Sequence, residues 1–313
     1  MEGTRTRIFW RDGNYLMFAM NITPILLCLV LAAFAANSLL CRFALEAGFI
    51  DPVSFTAVRI TSGALFLALL LVFRRDFRRP KLKLIAVISL YGYALLFSLA
   101  YVGLGAATGA LVLFSAVQFT MIGAAVWRGE NPGTLAWLGF FTAVGGLFWL
   151  LLPKASAPAP LAAAQMLLAG IAWGVYSLVG ARGVEALRAT TWNFFAATPL
   201  AILPLVIFPS SIHIESLGLW SAVISGSVAS GLGYALWYHV LPQLRAIVAA
   251  SAQLTVPVIA AFGSVLLLGE SLTTTLVFSS VAILGGVAVV IVDSHRRAFS
   301  ARHADAQILD YVI

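Results

Sequence analysis

The chain has 313 residues, of which 61% are hydrophobic and only 10% are charged. Soluble domains carry about a quarter of their residues as charged side chains, so this composition excludes an ordinary soluble globular protein and favours lipid as the solvent. In a soluble protein the net charge of +7 would suggest a nucleic-acid partner, but here the basic residues lie in short polar breaks between apolar runs. The sequence therefore predicts a protein of the lipid bilayer with no nucleic-acid partner.

Ten apolar runs are long enough to cross a bilayer core, which needs about 20 apolar residues in a helix. They predict an all-α polytopic membrane protein with spans at residues 22–45, 52–73, 82–102, 105–127, 134–152, 161–181, 191–208, 217–239, 244–268 and 272–292. Residues 1–21 are predicted to be an N-terminal segment, 153–160 a linker and 293–313 a mobile tail. A signal peptide ending at Ala33-Phe34-Ala35 is an alternative for the first run.

Basic residues are distributed unevenly between the two predicted sides of the membrane. Sixteen of the 19 lysines and arginines belong to the termini and to the loops that follow even-numbered spans, which together define the basic side. The opposite loops carry only Lys154, and Arg42 and Arg59 lie in or near spans. Because lysine and arginine remain on the cytoplasmic side, we expect both termini to be cytoplasmic in a bacterial inner (plasma) membrane.

The two halves of the chain resemble each other. At an offset of 140 residues, Gly129-Glu130 aligns with Gly269-Glu270, and an offset of 137 aligns Tyr101 with Tyr238. Each half has five predicted spans, an odd number, so the halves are expected to enter the membrane in opposite orientations. Inverted repeats around a central cavity are typical of secondary transporters, and they require the first run as a helix. A duplicated scaffold is the alternative.

Motifs in the second half are more specific, and they comprise Gly233-Tyr234-Ala235-Leu236-Trp237-Tyr238, Pro257-Val258-Ile259-Ala260-Ala261 and Gly269-Glu270-Ser271-Leu272. They resemble the EamA domain of the drug/metabolite transporter (DMT) superfamily. The first half resembles a weaker copy, with Thr120 where the second half has Pro257, and the resemblance covers about residues 24–292.

The resemblance implies a basket in which spans 1–4 and 6–9 surround a central cavity, with spans 5 and 10 outside. It implies transport of small metabolites. Overall similarity and an aromatic-rich interior favour the bacterial aromatic amino-acid exporter branch (YddG-type).

Aromatic side chains repeat along one face of span 3 and recur in span 8. Tyr93, Phe97 and Tyr101 are spaced at i, i+4 and i+8, and the last two align with Tyr234 and Tyr238. These five are candidates to line a cavity for flat or apolar side chains. Ordinary helix packing and interfacial aromatic belts are the alternatives.

Further candidates lie on spans 1, 4, 6 and 9. Trp173 and Tyr176 extend the aromatic set on span 6. Asn37, Gln118 and Gln253 are uncharged polar side chains inside spans, and they are candidate partners for the ammonium and carboxylate of an amino acid. Hydrogen bonding between helices is the alternative for the amides.

Two arginines and one proline are candidates for gating or for binding a carboxylate. Arg42 and Arg59 lie near the ends of spans 1 and 2 away from the basic side, and a guanidinium can bind a carboxylate through two hydrogen bonds. An ion pair with Glu46 or Asp51 is the favoured alternative. Pro257 is predicted to bend span 9, as a hinge or as a static kink.

The sequence favours a secondary transporter over an enzyme. It contains no metal-ligand spacing, phosphate-binding loop or dinucleotide fingerprint, so it predicts no cofactor, no metal and no catalysis. No acidic residue lies deep in a predicted span, which disfavours a carboxylate proton relay and favours facilitated movement; His239 is the only histidine near a span. We therefore expect export of small metabolites, aromatic or neutral amino acids above all, by alternating access. An exporter of cationic drugs and a membrane scaffold or enzyme are the alternatives.

Overall fold

The computed structural model describes residues 9–76, 78–104, 106–152, 159–179, 185–268 and 272–312, with side chains described from residue 22 to residue 297 except at a few positions. Lys154, Arg182 and the Gly269-Glu270 pair lie outside the described residues. In the described part of the chain the only extended pairing is one antiparallel bridge between Ile50 and Ile214.

The helices are, in chain order, α1 Phe9–Glu46, α2 Pro52–Arg74, α3 Leu84–Gly103, α4 Ala106–Trp127, α5 Thr134–Leu151, α6 Pro160–Val179, α7 Ala186–Ile207, α8 Ser216–Ile224, α9 Gly233–Val240, α10 Ala246–Gln253, α11 Val256–Leu268 and α12 Thr274–Val312. They provide ten segments long and apolar enough to cross a membrane, the eighth containing α8 and α9 and the ninth lying in α10 and α11. The prediction of an all-α polytopic membrane protein with ten spans is confirmed.

The first and last helices are longer than predicted. The backbone of α1 is helical from Phe9, ahead of the predicted span, and continues through Pro24. At the other end of the chain, α12 runs past the predicted span and continues as a helix to Val312. An ion pair between Asp293 and Arg297, one helical turn apart at 3.0 Å, supports this continuation.

The two halves of the chain pack against each other along most of their length. Among the described residues, α5 packs most extensively against α12, α3 against α6, and α2 against α7. At the first of these contacts a Cβ on Gly139 would lie 2.6 Å from the backbone oxygen of Gly286, so only glycine permits this approach. The close contact fixes α5 and α12 as a pair at one side of the bundle.

The eighth span is not the continuous α-helix that we expected. A π-helical segment, Ser225–Leu232, separates α8 from α9. Small residues allow this segment to approach α2: a Cβ on Gly63 would lie 2.8 Å from the oxygen of Gly226, and a Cβ on Gly226 would overlap the oxygen of Arg59. The wider turn changes which side chains of span 8 face α2, and such turns are frequent at functional sites.

The ninth span is interrupted ahead of Pro257. The amide of Leu254 bonds to Ser251 O at 3.0 Å, three residues back, and so leaves the Ala250 oxygen without its usual helical donor. Gln118 Nε2 on α4 donates to that oxygen at 2.9 Å. Proline has no amide hydrogen and its ring crowds the carbonyl four residues before it, which explains a break at this position. By contrast α4, with Thr120 at the aligned position, is unbroken.

The glycines between α5 and α12 generate a prediction about stability. Gly286→Val should destabilise the protein by about 2 kcal/mol, because the added side chain would collide with Gly139 O and Ala143 N. Gly285→Val is the control, since a Cβ there meets nothing within 4 Å. Thermal unfolding of the detergent-purified variants tests this, and equal melting temperatures for the two variants would contradict it.

Candidate functional site

A cavity lies at the centre of the bundle, where α1, α3, α4 and α6 meet spans 8 and 9. Its volume is about 30 Å³, which is room for roughly two water molecules. The lining residues are Phe34, Asn37, Ser38, Tyr93, Leu113, Phe114, Val117, Trp173, Tyr234, Gln253 and Val256. Both halves of the chain contribute to this wall, which combines aromatic rings with a few polar groups, as small-molecule sites do.

Four aromatic rings form one continuous part of the cavity wall. The Trp173 ring centroid lies 4.7 Å from that of Tyr234, 5.1 Å from that of Tyr93 and 5.2 Å from that of Phe34. Phe34 meets Trp173 edge-on, and the other two pairs are tilted. These are the separations and angles that aromatic pairs prefer, so the rings hold each other in place and present a wall suited to a flat apolar group.

Polar groups lie at two points of this wall. Gln253 Oε1 accepts a 2.7 Å hydrogen bond from Trp173 Nε1, which fixes the direction of the amide. Asn37 Oδ1 accepts from Ser225 Oγ at 2.7 Å and from Ser230 Oγ at 3.4 Å, both in the π-helical segment. All four polar residues are at least nine-tenths buried, so they are positioned by these bonds and not by solvent.

A buried arginine lies directly behind the aromatic wall. Arg59 is 1% exposed; its Nε donates to Ser230 Oγ at 2.9 Å and its Nη2 to Tyr234 Oη at 2.7 Å. The guanidinium carbon lies 5.3 Å from the ring centroid of Tyr93 and 5.9 Å from that of Phe97, within range of a cation–π interaction. Among the described residues, Nη1 has no hydrogen-bond acceptor and no acidic side chain forms an ion pair with Arg59.

Arg59 does not follow the favoured alternative, because no ion pair joins it to Glu46 or Asp51. It lies about 10 Å along α2 from Pro52 and is turned into the bundle. Arg42 follows the alternative interpretation: it forms an ion pair with Glu46 at 2.8 Å and is part-exposed. The two arginines therefore have different environments, and only Arg59 is close to the cavity.

The structure brings five of the ten candidate substrate-contacting residues to the cavity and leaves five away from its wall. Those at the wall are Asn37, Tyr93, Trp173, Tyr234 and Gln253; those away from it are Phe97, Tyr101, Gln118, Tyr176 and Tyr238. The second group supports the first: Phe97 packs on the Tyr93 ring at 5.3 Å, and Tyr238 donates to Tyr176 O at 2.7 Å. Pro257 follows the ninth-span break, and His239 is exposed at the end of α9.

Residues missed in the sequence include Phe34, Ser225 and Ser230. Phe34 belongs to the stretch that resembles a signal-peptide cleavage site, and it is instead a wall of the cavity. Ser225 and Ser230 are five residues apart, a spacing that puts side chains on different faces of an α-helix. Only the π-helical segment brings both to Asn37, and its run of small residues was the available signal.

Comparison with known proteins identifies the family. The sequence pattern of the EamA-like transporter family matches this chain twice, at residues 21–152 and 160–292. The chain belongs to the EamA-like transporter family. The predicted resemblance to this family, within the drug/metabolite transporter superfamily, is confirmed, and with it membership of a family of membrane transporters of small molecules.

The chain is also similar to two bacterial proteins and to one solved structure. An uncharacterized protein of Pseudomonas aeruginosa is 49% identical over 277 residues, covering 88% of this EamA-like transporter and 96% of that protein. The uncharacterized transporter YoaV of Bacillus subtilis is 24% identical over 254 residues, covering 76% of this chain and 86% of YoaV. A solved crystal structure has a TM-score of 0.68 at 20% identity, covers 84% of this chain and 98% of that one, and so shares the fold.

The hydrogen bonds to Arg59 generate a stability prediction for this EamA-like transporter. Ser230→Ala removes a bond to a charged group and should lower the free energy of unfolding by about 1.5–3 kcal/mol. Ser227→Ala is the matched control in the same π-helical segment, because the one bond of the Ser227 hydroxyl to a described residue is to Val223 O, four residues earlier in span 8. Equilibrium unfolding in mixed micelles measures both variants, and equal losses would show that the Arg59 contact is energetically unimportant.

Proposed function

We propose that this EamA-like transporter exports small metabolites with a carboxylate, most notably aromatic and neutral amino acids, by alternating access. The observation that supports this is Arg59, a buried cation without an acidic partner among the described residues, adjoining an aromatic cavity. The aromatic amino-acid exporter branch (YddG-type) is the branch whose substrates fit both features. We infer a secondary transporter, and not a membrane enzyme or a scaffold.

The charge of Arg59 supports a carboxylate as the bound group. A guanidinium inside a membrane protein is costly unless it is paired or hydrogen-bonded. Ser230 and Tyr234 satisfy two of its nitrogens, and Nη1 has no acceptor among the described residues. A substrate carboxylate that accepts from Nη1 would supply the missing negative charge, whereas a cationic drug would be repelled. This electrostatic argument favours an amino acid over a cationic drug as the substrate.

The remaining polar and aromatic groups complement the rest of an amino acid. In this proposal the substrate ammonium binds to the side-chain oxygen of Asn37 or Gln253, and the ring or apolar side chain packs against Trp173, Tyr93 and Phe34. At about 30 Å³ the cavity is too small for any amino acid, so the wall must move to admit one. We propose that the π-helical segment and the break before Pro257 are the elements that yield. The segment directly precedes the helix that carries Tyr234, and Gln253 and Val256 flank the break.

Movement is proposed to be facilitative. Among the described residues, acidic side chains lie in loops or at span ends; the most buried of them, Asp293, is paired with Arg297. A proton relay through a carboxylate therefore has no candidate near the cavity in the described chain. The substrate gradient alone is the proposed driving force.

Topology and internal symmetry complete the proposal. We propose that residues 22–152 and 161–292 are inverted repeats in a bacterial inner (plasma) membrane, with both termini cytoplasmic. The unequal distribution of lysine and arginine and the two matches to the family pattern support this arrangement.

Reporter fusions test the topology. Alkaline phosphatase fused after Leu152 should be active, because the predicted loop there is periplasmic, whereas the same enzyme fused after Arg128 should be inactive. Fluorescent-protein fusions at the same positions should give the opposite pattern. Active phosphatase at both positions would contradict the proposed orientation.

Transport by reconstituted protein tests the function. Liposomes containing wild-type protein should take up labelled phenylalanine or tryptophan saturably with no pH gradient. Arg59→Gln should reduce uptake at low substrate concentration by at least tenfold, because a charge-assisted hydrogen bond to the carboxylate is lost. Arg42→Gln is the matched control, since Arg42 is part-exposed and bonded to Glu46.

Competition assays test recognition of the carboxylate separately from transport of amino acids. Phenylalaninamide, which lacks the carboxylate, should compete for phenylalanine uptake at least tenfold more weakly than leucine. Equal competition by the amide would contradict a role for Arg59 in binding a carboxylate. No uptake of any amino acid in a labelled panel, even with an imposed pH gradient, would overturn the amino-acid proposal itself.

A further inference from the structure

A second and larger cavity lies between α4 and α5, on the lipid-facing side of the bundle; we name it the lateral pocket. Its volume is about 540 Å³, within the range typical of small-molecule sites. The α4 side is formed by Phe114, Ser115, Gln118, Phe119, Ile122, Gly123 and Val126, the α5 side by Trp137, Phe140, Phe141, Val144, Leu147 and Phe148, and the inner end by Leu254.

The pocket opens towards the membrane and not towards the central cavity. Phe119, Phe141 and Phe148 on its rim are exposed apolar residues of membrane-spanning helices, so its mouth faces lipid. At the inner end, Phe114 belongs to both cavities and separates them. The pocket exists because α4 packs mainly on α6, and α5 mainly on α12, which leaves a gap between α4 and α5.

One buried polar atom in the lateral pocket has no partner. Gln118 is 4% exposed, and its Nε2 donates to Ala250 O at 2.9 Å, the oxygen left free by the ninth-span break. This bond fixes the amide orientation, because the nitrogen must face the carbonyl. Gln118 Oε1 makes no hydrogen bond among the described residues. A buried amide oxygen in an apolar environment is costly unless a donor reaches it.

We propose that the lateral pocket binds a small, flat, apolar molecule carrying a single O–H or N–H donor, which it takes from the bilayer and anchors on Gln118 Oε1. The aromatic rims accept the flat apolar body, and the unpartnered Gln118 oxygen selects for a ligand with a donor. A lipid acyl chain would fill the apolar volume but has no donor for Gln118. The pocket carries no charged side chain, so the ligand is neutral.

The proposal is tested with 2-naphthol and 2-methoxynaphthalene, which differ by one hydroxyl hydrogen replaced with a methyl group. Binding is measured by equilibrium dialysis against protein in lipid nanodiscs, with empty nanodiscs subtracted to remove partition into lipid. We expect 2-naphthol to bind about tenfold more tightly than 2-methoxynaphthalene, which has the same ring system but no hydroxyl donor.

Two variants test the pocket volume and the acceptor atom separately, and a third variant is the control. Gly123→Leu places a side chain in the pocket where a Cβ meets nothing within 4 Å, and it should abolish binding of both compounds. Gly145→Leu is the control, because Gly145 has equal room but does not line the pocket. Gln118→Met should retain binding of 2-methoxynaphthalene and remove the preference for 2-naphthol.

The possible outcomes support or overturn the proposal as follows. A preference for 2-naphthol that disappears with Gly123→Leu and survives Gly145→Leu supports it, even if Gln118→Met proves too unstable to purify. Equal binding of the two compounds, lost together in Gly123→Leu, would indicate a site for acyl chains and would overturn the donor requirement. Binding unaffected by Gly123→Leu would overturn the site itself. Neither compound has a carboxylate, so these results do not depend on amino-acid transport.

Discussion

A positive charge inside a membrane-spanning bundle is the constraint on which the centre of this protein depends. Arg59 is almost completely buried, and burial of an unpaired guanidinium is costly. In the described part of the chain no acidic residue reduces this cost; instead a serine and a tyrosine on span 8 accept its hydrogen bonds, and two rings on α3 flank it. Because the serine lies on the π-helical segment, the irregular part of span 8 and the buried charge are features of one arrangement.

The parts of the fold that were predictable from sequence are those set by local properties of the chain. Span positions follow from hydropathy, which is a property of each run of residues taken alone, and all ten spans were found. The polar continuation of α12 beyond the membrane carries no apolar run, so its helix was missed. The π-helical segment was missed because serine, glycine and alanine are compatible with several helical geometries; only close contact with α2 selects the wider turn.

The two arginines show the limit of the sequence argument for the site. The partner of Arg42 is four residues away on the same helix, so its ion pair can be read from spacing. The partners of Arg59 are 171 and 175 residues away, and no local pattern indicates them. Likewise the stripe from Tyr93 to Tyr101 extends about 12 Å along α3, but of its three rings only Tyr93 lines the cavity. A helix face can be predicted, but the part of it that meets a cavity depends on the opposing helices.

The break in span 9 links the two cavities physically. It positions Gln253 in the central cavity and Leu254 at the end of the lateral pocket, and it frees the oxygen that holds Gln118 in place. Phe114, one turn from Gln118 on α4, faces both spaces. Any change in the backbone at Leu254 therefore moves one wall of each cavity at the same time. In the proposed transport cycle the central cavity expands to admit a metabolite. Displacement of span 9 at this break would then enlarge or compress the lateral pocket, and a ligand held there would bias the equilibrium between the two states by its difference in affinity for them.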